Sequence, residues 1–315
     1  MGVLAVLVVG LDGHEILARI QAANGLLVVC GVLGLTAVHA LGGAAWRLLC
    51  RQLGGLRLPW TTTLRVYYAA QALGGITPAN IGGDAYRVLA VRRAGLGWSA
   101  AVAPVLVQRA TSYLALALLA LAGLGRLAAS SLLPAGILAV GLLLSVLAGG
   151  AAVLLLLAPG PVAALRARLQ RNSAADRREG STDTANPVRP PLGSVLAATL
   201  LALGFHGLSI LLTALLVAAV DPSAIGIPIV AAITVARLSV AVPILPSGIG
   251  ANEAILSLLF AALGLAPQIA LAALLLTRVA LLLTTLLGGL SLLVGRPRIP
   301  SVAHGPDQLP AATTR

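Results

Sequence analysis

Five stretches of this chain, roughly residues 25–49, 99–125, 132–158, 194–220 and 266–294, each run past twenty residues with no more than one charged side chain. A helix that crosses a bilayer needs about 20 apolar residues, each rising about 1.5 Å. All five are long enough. Backbone groups in hydrocarbon must satisfy one another, which leaves helices as the element for such runs. Composition agrees: the chain is 59% hydrophobic and 10% charged, with mean hydropathy +1.01, whereas soluble domains carry about 25% charged residues. The expected fold is an all-α integral membrane protein, a multi-pass helical bundle.

Two further apolar regions, 61–96 and 224–264, are broken near their centres. The first break reads Thr77-Pro78-Ala79-Asn80-Ile81-Gly82-Gly83-Asp84, and the second Leu245-Pro246-Ser247-Gly248-Ile249-Gly250-Ala251-Asn252-Glu253. Pro and Gly stop helices, and broken backbone survives at membrane depth only where protein or a wet cavity satisfies it. Each break is followed by a lone arginine at the same distance: Arg109 lies 25 positions after Asp84, and Arg278 lies 25 after Glu253. Paired interruptions in corresponding positions of two halves point to a transporter's binding site.

All 21 basic residues are arginine, and the net charge is +12. Most of them flank apolar spans, so sorting of positive charge to the cytoplasmic side accounts for them better than nucleic acid does. With Arg51, Arg57, Arg87, Arg92 and Arg93 placed inside, 61–96 enters from the cytoplasm and turns back. With Arg296 and Arg298 also inside, 224–264 enters from the opposite face, leaving Arg126 as a mild exception. The result is two broken re-entrant hairpins related by an inverted-topology repeat. The expected organisation is an N-terminal membrane half, 1–158, a basic cytoplasmic linker, 159–193, a C-terminal membrane half, 194–295, and a disordered tail, 296–315. Residues 1–11 are too short to span and lack a signal-peptide pattern, so they read as a shortened first span or an interfacial segment. The location expected is the cell (inner) membrane, with linker and C-terminus cytoplasmic.

The chemistry concentrates at the breaks. Pro78, Gly82, Gly83 and Arg87, with Pro246, Gly248 and Gly250, shape the hairpins or gate between them. Asp84 and Glu253 either cap the returning half-helices or take part in ion coupling. Arg109 and Arg278 sit too deep to snorkel. They form ion pairs with Asp84 and Glu253, or their guanidinium forks bind an anion such as phosphate. Counting Arg87, Arg109, Arg237 and Arg278 against Asp84 and Glu253 leaves a surplus of two positive charges, which favours an anionic headgroup. Arg237, Asn80 and Gln108 are further candidates for substrate contact. Tyr67 and Tyr68 offer polar handles or interface anchors, and Pro104 is expected to kink its helix and free a carbonyl near the site. His39 and His206 read as packing residues or proton relays, and Gly42-Gly43, Gly149-Gly150 and Gly288-Gly289 as close helix contacts. No nucleophile elbow, P-loop, zinc spacing or clustered His/Asp set is present; no catalytic residue, metal or cofactor is assigned. Cys30 and Cys50 have no redox or metal spacing.

The motif Pro78-x3-Gly82-Gly83-Asp84-x2-Arg87, followed by Gln108-Arg109, resembles the first signature of the lysylphosphatidylglycerol synthase transmembrane region, the flippase-like (UPF0104) family. Ile244-Leu245-Pro246-Ser247-Gly248-Ile249-Gly250-x2-Glu253-Ala254, followed by Arg278, resembles the second. The chain departs at Asn80, where the first signature commonly has Gly. The resemblance covers roughly 25–295 and implies a flippase-like membrane protein that moves or binds a phospholipid or polyprenyl-phosphate lipid. No aminoacyl-transferase domain follows, so a stand-alone member without synthase activity is expected. Partners expected are membrane lipid, and a lipid-modifying enzyme, a glycosyltransferase or a further copy of the chain. A non-transporting membrane partner of such an enzyme and a small-solute secondary transporter remain the alternatives.

Overall fold

The computed structural model describes residues 13–129, 135–157, 190–238, 251–294 and 299. Residues 1–11, most of the 159–193 linker, almost all of the 296–315 tail and Pro246, Gly248 and Gly250 lie outside the described residues. Among those described, every regular element is helical: α1 (Gly13–Ala22), α2 (Gly25–Ala37), α3 (His39–Gly54), α4 (Trp60–Gly75), α5 (Ile81–Arg92), α6 (Trp98–Ala129), α7 (Ala135–Leu157), α8 (Leu192–Val220), α9 (Ile227–Ala236), α10 (Ala251–Ala262) and α11 (Pro267–Leu293), with 3-10 turns at Pro78–Asn80 and Pro222–Ala224. Five helical runs are long and apolar enough to cross a membrane: Gly25–Gly54, Trp98–Ala129, Ala135–Leu156, Leu192–Val220 and Pro267–Leu293. They fall on the five stretches read from the sequence.

Helix ends follow local chemistry. Asn24 caps α2 by accepting from Leu27 N (3.2 Å). Gly55 closes α3 in the left-handed region, φ 64°, where a Cβ is costly. Pro228 and Pro267 stand in the first turns of α9 and α11, where the missing N–H costs nothing. The span expected at 25–49 is one helical run, Gly25–Gly54, with a one-residue break in its hydrogen-bond ladder at Val38, whose backbone stays right-handed (φ −58°, ψ −23°). Tyr68 donates to the Thr36 carbonyl (2.7 Å), and Leu41 N–H reaches Val38 O (3.0 Å). A side chain inserted into the backbone ladder is an ordinary cause of such a break. Pro104, in contrast, sits inside a continuous α6. It cannot donate to the Ala100 carbonyl, which lies against Gly54 rather than in the cavity described below.

Packing relates the two halves. Gly31 and Gly34 meet Leu216 and Leu212, Gly204 meets Leu41, and Leu49 and Leu53 pack with Ala198, so α8 runs antiparallel to α2–α3. The remaining contacts are reciprocal: α4 lies along α11, where Gly288 faces the Tyr68 backbone, and α9 lies along α6, where Gly123 faces the Ala231 backbone. Small residues let these backbones approach, as membrane helices do where the hydrophobic effect offers no pull between them. α7 packs on α6 at the edge and exposes Leu142, Leu143 and Leu154. Several buried hydroxyls are satisfied locally; Thr36, Thr213, Thr234 and Thr284 each donate to the carbonyl four residues back.

Of the glycine pairs, one member does most of the work. A Cβ on Gly42 would stand 2.1 Å from the Tyr67 hydroxyl oxygen and one on Gly288 2.2 Å from the Tyr68 carbonyl oxygen, while Gly150 and Gly289 face open space. Gly288→Ala should therefore push α11 off α4 and destabilise by about 1–3 kcal/mol, as overpacking does. Gly289→Ala should be neutral or stabilise by up to about 1 kcal/mol through helix propensity. Thermal unfolding of the two variants in detergent distinguishes them.

Candidate functional site

The first break is built by hydrogen bonds to Thr77. Its hydroxyl accepts from Gly82 N (2.9 Å) and lies 3.2 Å from the Leu73 and Gly74 carbonyls, tying the end of α4 to the start of α5. Ala79 and Asn80 both adopt left-handed backbone, φ 52° and 59°. Asn tolerates that region and Ala much less. Asn80 thus stands in a conformation natural to the Gly that the first signature commonly carries. Its side chain fills the hollow over Gly74, where a Cβ would stand 1.3 Å from Oδ1. Gly82 and Gly83 bring α5 against the Leu73 and Ala70 carbonyls. Val66 and Tyr67 then pack with Ala90 and Val91 further along, so α4 and α5 form an antiparallel helical hairpin. Gly74 was not among the residues singled out in sequence, although its pairing with Gly75 was a usable signal.

Both ion pairs suggested by the equal spacing are present. Arg109 donates through Nε to Asp84 Oδ2, and Arg278 donates through Nε (2.8 Å) and Nη2 to Glu253 Oε1. Asp84 also accepts from Arg87, so one carboxylate holds two guanidinium groups. Asp84 is therefore an ion-pair hub, and the N–H of Gly82 is capped by Thr77 instead. Arg87 is buried rather than reaching the surface: it donates to Gln108 Oε1 and lies over the Tyr67 ring (5.4 Å). Gln108 in turn donates to the Gly42 carbonyl (2.8 Å). Arg109 has every nitrogen in use, with Nη1 on the Tyr113 hydroxyl (3.2 Å) and Nη2 on the carbonyl of left-handed Ala79. It clamps the break.

These groups face one cavity of about 380 Å³. Asn80, Asp84, Arg87, Gln108 and Arg109 line it from the N-terminal half; Arg237, Asn252 and Arg278 line it from the C-terminal half. The N-terminal ends of α5 and α10 open onto it with their partial positive charge. Glu253 is fully buried behind Arg278. Among the described residues, four arginines against two carboxylates leave the surplus of two positive charges read from the sequence.

That surplus is unevenly placed. Arg237, at the C-terminal end of α9, has only neutral partners among the described residues, Ser209 O (3.3 Å) and Thr213 Oγ1 (3.2 Å), both through Nη2. Arg278 lines the same cavity. Sequence reasoning passed over Ser112, Tyr113, Ser209, Thr213 and Thr277, which also line the cavity. Ser112 and Tyr113 lie one turn beyond Gln108 and Arg109 on the same helix face, a signal open to reading. Tyr67 and Gln71 line the cavity, whereas the Tyr68 hydroxyl is held by Thr36. His39 bonds to the Leu35 carbonyl (3.1 Å) and meets Phe205 edge-on. His206 Nε2 pairs with Ser112 Oγ (2.9 Å), and its Nδ1 is buried without a partner among the described residues.

A constant offset relates the halves. Asp84 and Glu253, left-handed Gly95 and Gly264, and Arg109 and Arg278 are each 169 positions apart, and α5 and α10 are both 12 residues long. The same offset carries Gln108 to Thr277. Removing one partner of a buried ion pair leaves an unmatched charge, so Glu253→Ala should cost about 3–5 kcal/mol. Arg109→Ala should cost less, because Asp84 keeps Arg87. Unfolding of each variant in detergent micelles measures the difference.

The sequence model described as the lysylphosphatidylglycerol synthase TM region matches residues 1–289. Among curated proteins, none matches this chain in sequence. With most of its length matched and five helices fit to cross a bilayer, the chain is a multi-pass membrane protein and belongs to the lysylphosphatidylglycerol synthase TM region family.

Proposed function

We propose that this protein binds the headgroup of an anionic lipid, a phospholipid or a polyprenyl phosphate, in its central cavity and passes it between leaflets without chemical change. The observation that carries this reading is Arg237. A guanidinium cannot be neutralised by losing its proton, and an intramembrane charge is costly unless it is paired or wet. Arg237 faces the cavity with no carboxylate among the described residues, beside an Arg278 whose Nη1 has no protein partner among them. A phosphate oxygen placed between the two supplies the missing counter-charge and uses the fork geometry of both. Thr213, Thr277 and Asn252 lie around it as neutral donors. The cavity is of the size that holds a small ligand or headgroup.

Transport needs two ways out, and an inverted repeat provides them. Three observations support that architecture: the constant offset between halves, the antiparallel run of α8 along α2–α3, and the reciprocal packing of α4 on α11 and α9 on α6. The short helices support re-entrant hairpins. At about 1.5 Å per residue, α4 reaches about 24 Å, α5 and α10 about 18 Å and α9 about 15 Å, all short of the roughly 30 Å hydrocarbon core. The face carrying Arg51, Arg57, Arg92 and Arg93 is then cytoplasmic, in the inner membrane. A lipid-modifying enzyme or a glycosyltransferase is the natural partner for a carrier of this cargo.

In proteoliposomes containing fluorescent phosphatidylglycerol, Arg237→Gln should slow transfer between leaflets about tenfold, with an unchanged elution profile. Equal rates for native and Arg237→Gln protein would remove the anion-site reading. For topology, single cysteines in a background with Cys30 and Cys50 replaced by Ala should separate re-entrance from full crossing. Arg57→Cys and Arg93→Cys should react with an impermeant maleimide from the cytoplasmic face, while Ile76→Cys, at the tip of the first hairpin, should stay unlabelled from the opposite face. Labelling of Ile76→Cys from that face would make α4 and α5 two full spans.

A further inference from the structure

A second cavity, about 340 Å³, lies at the α3–α4 corner, and it is lined by Arg47, Arg51, Arg57 and Trp60 together with the apolar Leu48 and Leu58. We propose that it is a separate binding site for a phosphate group, that of a diacyl phospholipid with net negative charge in the leaflet on this face. Three arginines line it, and none has a carboxylate partner among the described residues. Sorting of positive charge to one side of the membrane explains arginines at this end, but it does not explain why three of them line one cavity. Arg47 and Arg51 are four apart on one helix face, where like charges repel.

The corner is held rigid. Leu56 and Leu58 are buried in the cluster around Trp46 and Cys50, which turns Arg57, the residue between them, outward. Arg47 donates through Nε to the Leu58 carbonyl (2.6 Å) and stacks on Trp60 (4.8 Å), so its planar fork is fixed before any ligand arrives. Trp60 begins α4, whose first N–H groups add partial positive charge. A half-exposed Trp on the first turn of a helix places the site at the depth of lipid headgroups. Arg92 stacked on Trp98 (4.7 Å), at the start of α6, supports the same depth. Leu48 and Leu58 offer apolar wall to the first carbons of an acyl chain. Arg237 and its cavity take no part in this site.

Native mass spectrometry of the full chain in detergent tests it, with phosphatidylglycerol, phosphatidylcholine and inorganic phosphate as separate probes. R51Q/R57Q should retain one phosphatidylglycerol fewer than the native chain, with about tenfold weaker binding at that step. R51K/R57K keeps the charge that sets topology but loses the forks, and should weaken binding at least threefold. The same loss should appear when both pairs are made in the Arg237→Gln background, so failure of the central cavity to take lipid leaves this outcome intact. Displacement of the lipid by millimolar phosphate alone would assign the site to soluble phosphate, and retention despite it to the lipid headgroup. Unchanged retention in R51Q/R57Q, or equal retention of phosphatidylcholine, overturns the proposal.

Discussion

A guanidinium in a membrane interior keeps its proton, so the protein must be arranged around the charge. That constraint organises most of what lies between the two halves. Asp84 holds Arg87 and Arg109 together, Glu253 is sealed behind Arg278, and Gln108 links Arg87 to the backbone of α3. These groups come from four helices, α5, α6, α10 and α11, and reach a fifth, α3. The charges therefore fix how the helices meet, and the small residues between them fix how closely. Arg109 illustrates the coupling: the nitrogen that satisfies Ala79 also holds open a backbone conformation that alanine resists.

Each half pairs the carboxylate after its break with an arginine 25 positions on. In the N-terminal half the arginine beyond the break is saturated by its neighbours. Its counterpart in the C-terminal half has a nitrogen with no partner among the described residues and lines the cavity with Arg237, which has no carboxylate of its own among them. Equal spacing in sequence thus marks equal scaffolding.

The sequence made the five spans legible because apolar length is a direct reading of membrane thickness. It made the two ion pairs legible because Asp84–Arg109 and Glu253–Arg278 share a spacing, and charges at that depth need partners. Other features depend on contacts between segments distant in the chain. The break at Val38 is made by a hydroxyl from Tyr68, thirty residues later, and nothing near Thr36 announces it. The burial of Arg87 depends on Tyr67 and Gln108 reaching it from two other helices. Asn80 looked like an anomaly beside the glycines, yet its left-handed backbone and the empty space over Gly74 give it a seat. Whether an arginine is saturated or open cannot be read from spacing at all, since it depends on which hydroxyls and carbonyls come within reach.

α7 gains a meaning from where it sits. It packs on α6, exposes leucines along its length and adds no residue to the central cavity. Yet the antiparallel run of α8 along α2–α3 depends on it. The chain returns through the α4–α5 hairpin, leaves along α6 and comes back along α7 before α8 begins. Without that crossing α8 would start from the other end, parallel to α2–α3, and its glycine and leucine contacts would have nothing to meet. What α7 contributes is parity. Its sequence is free to drift so long as it stays apolar and keeps small residues where α6 approaches, because a change of direction asks for length and asks nothing of chemistry.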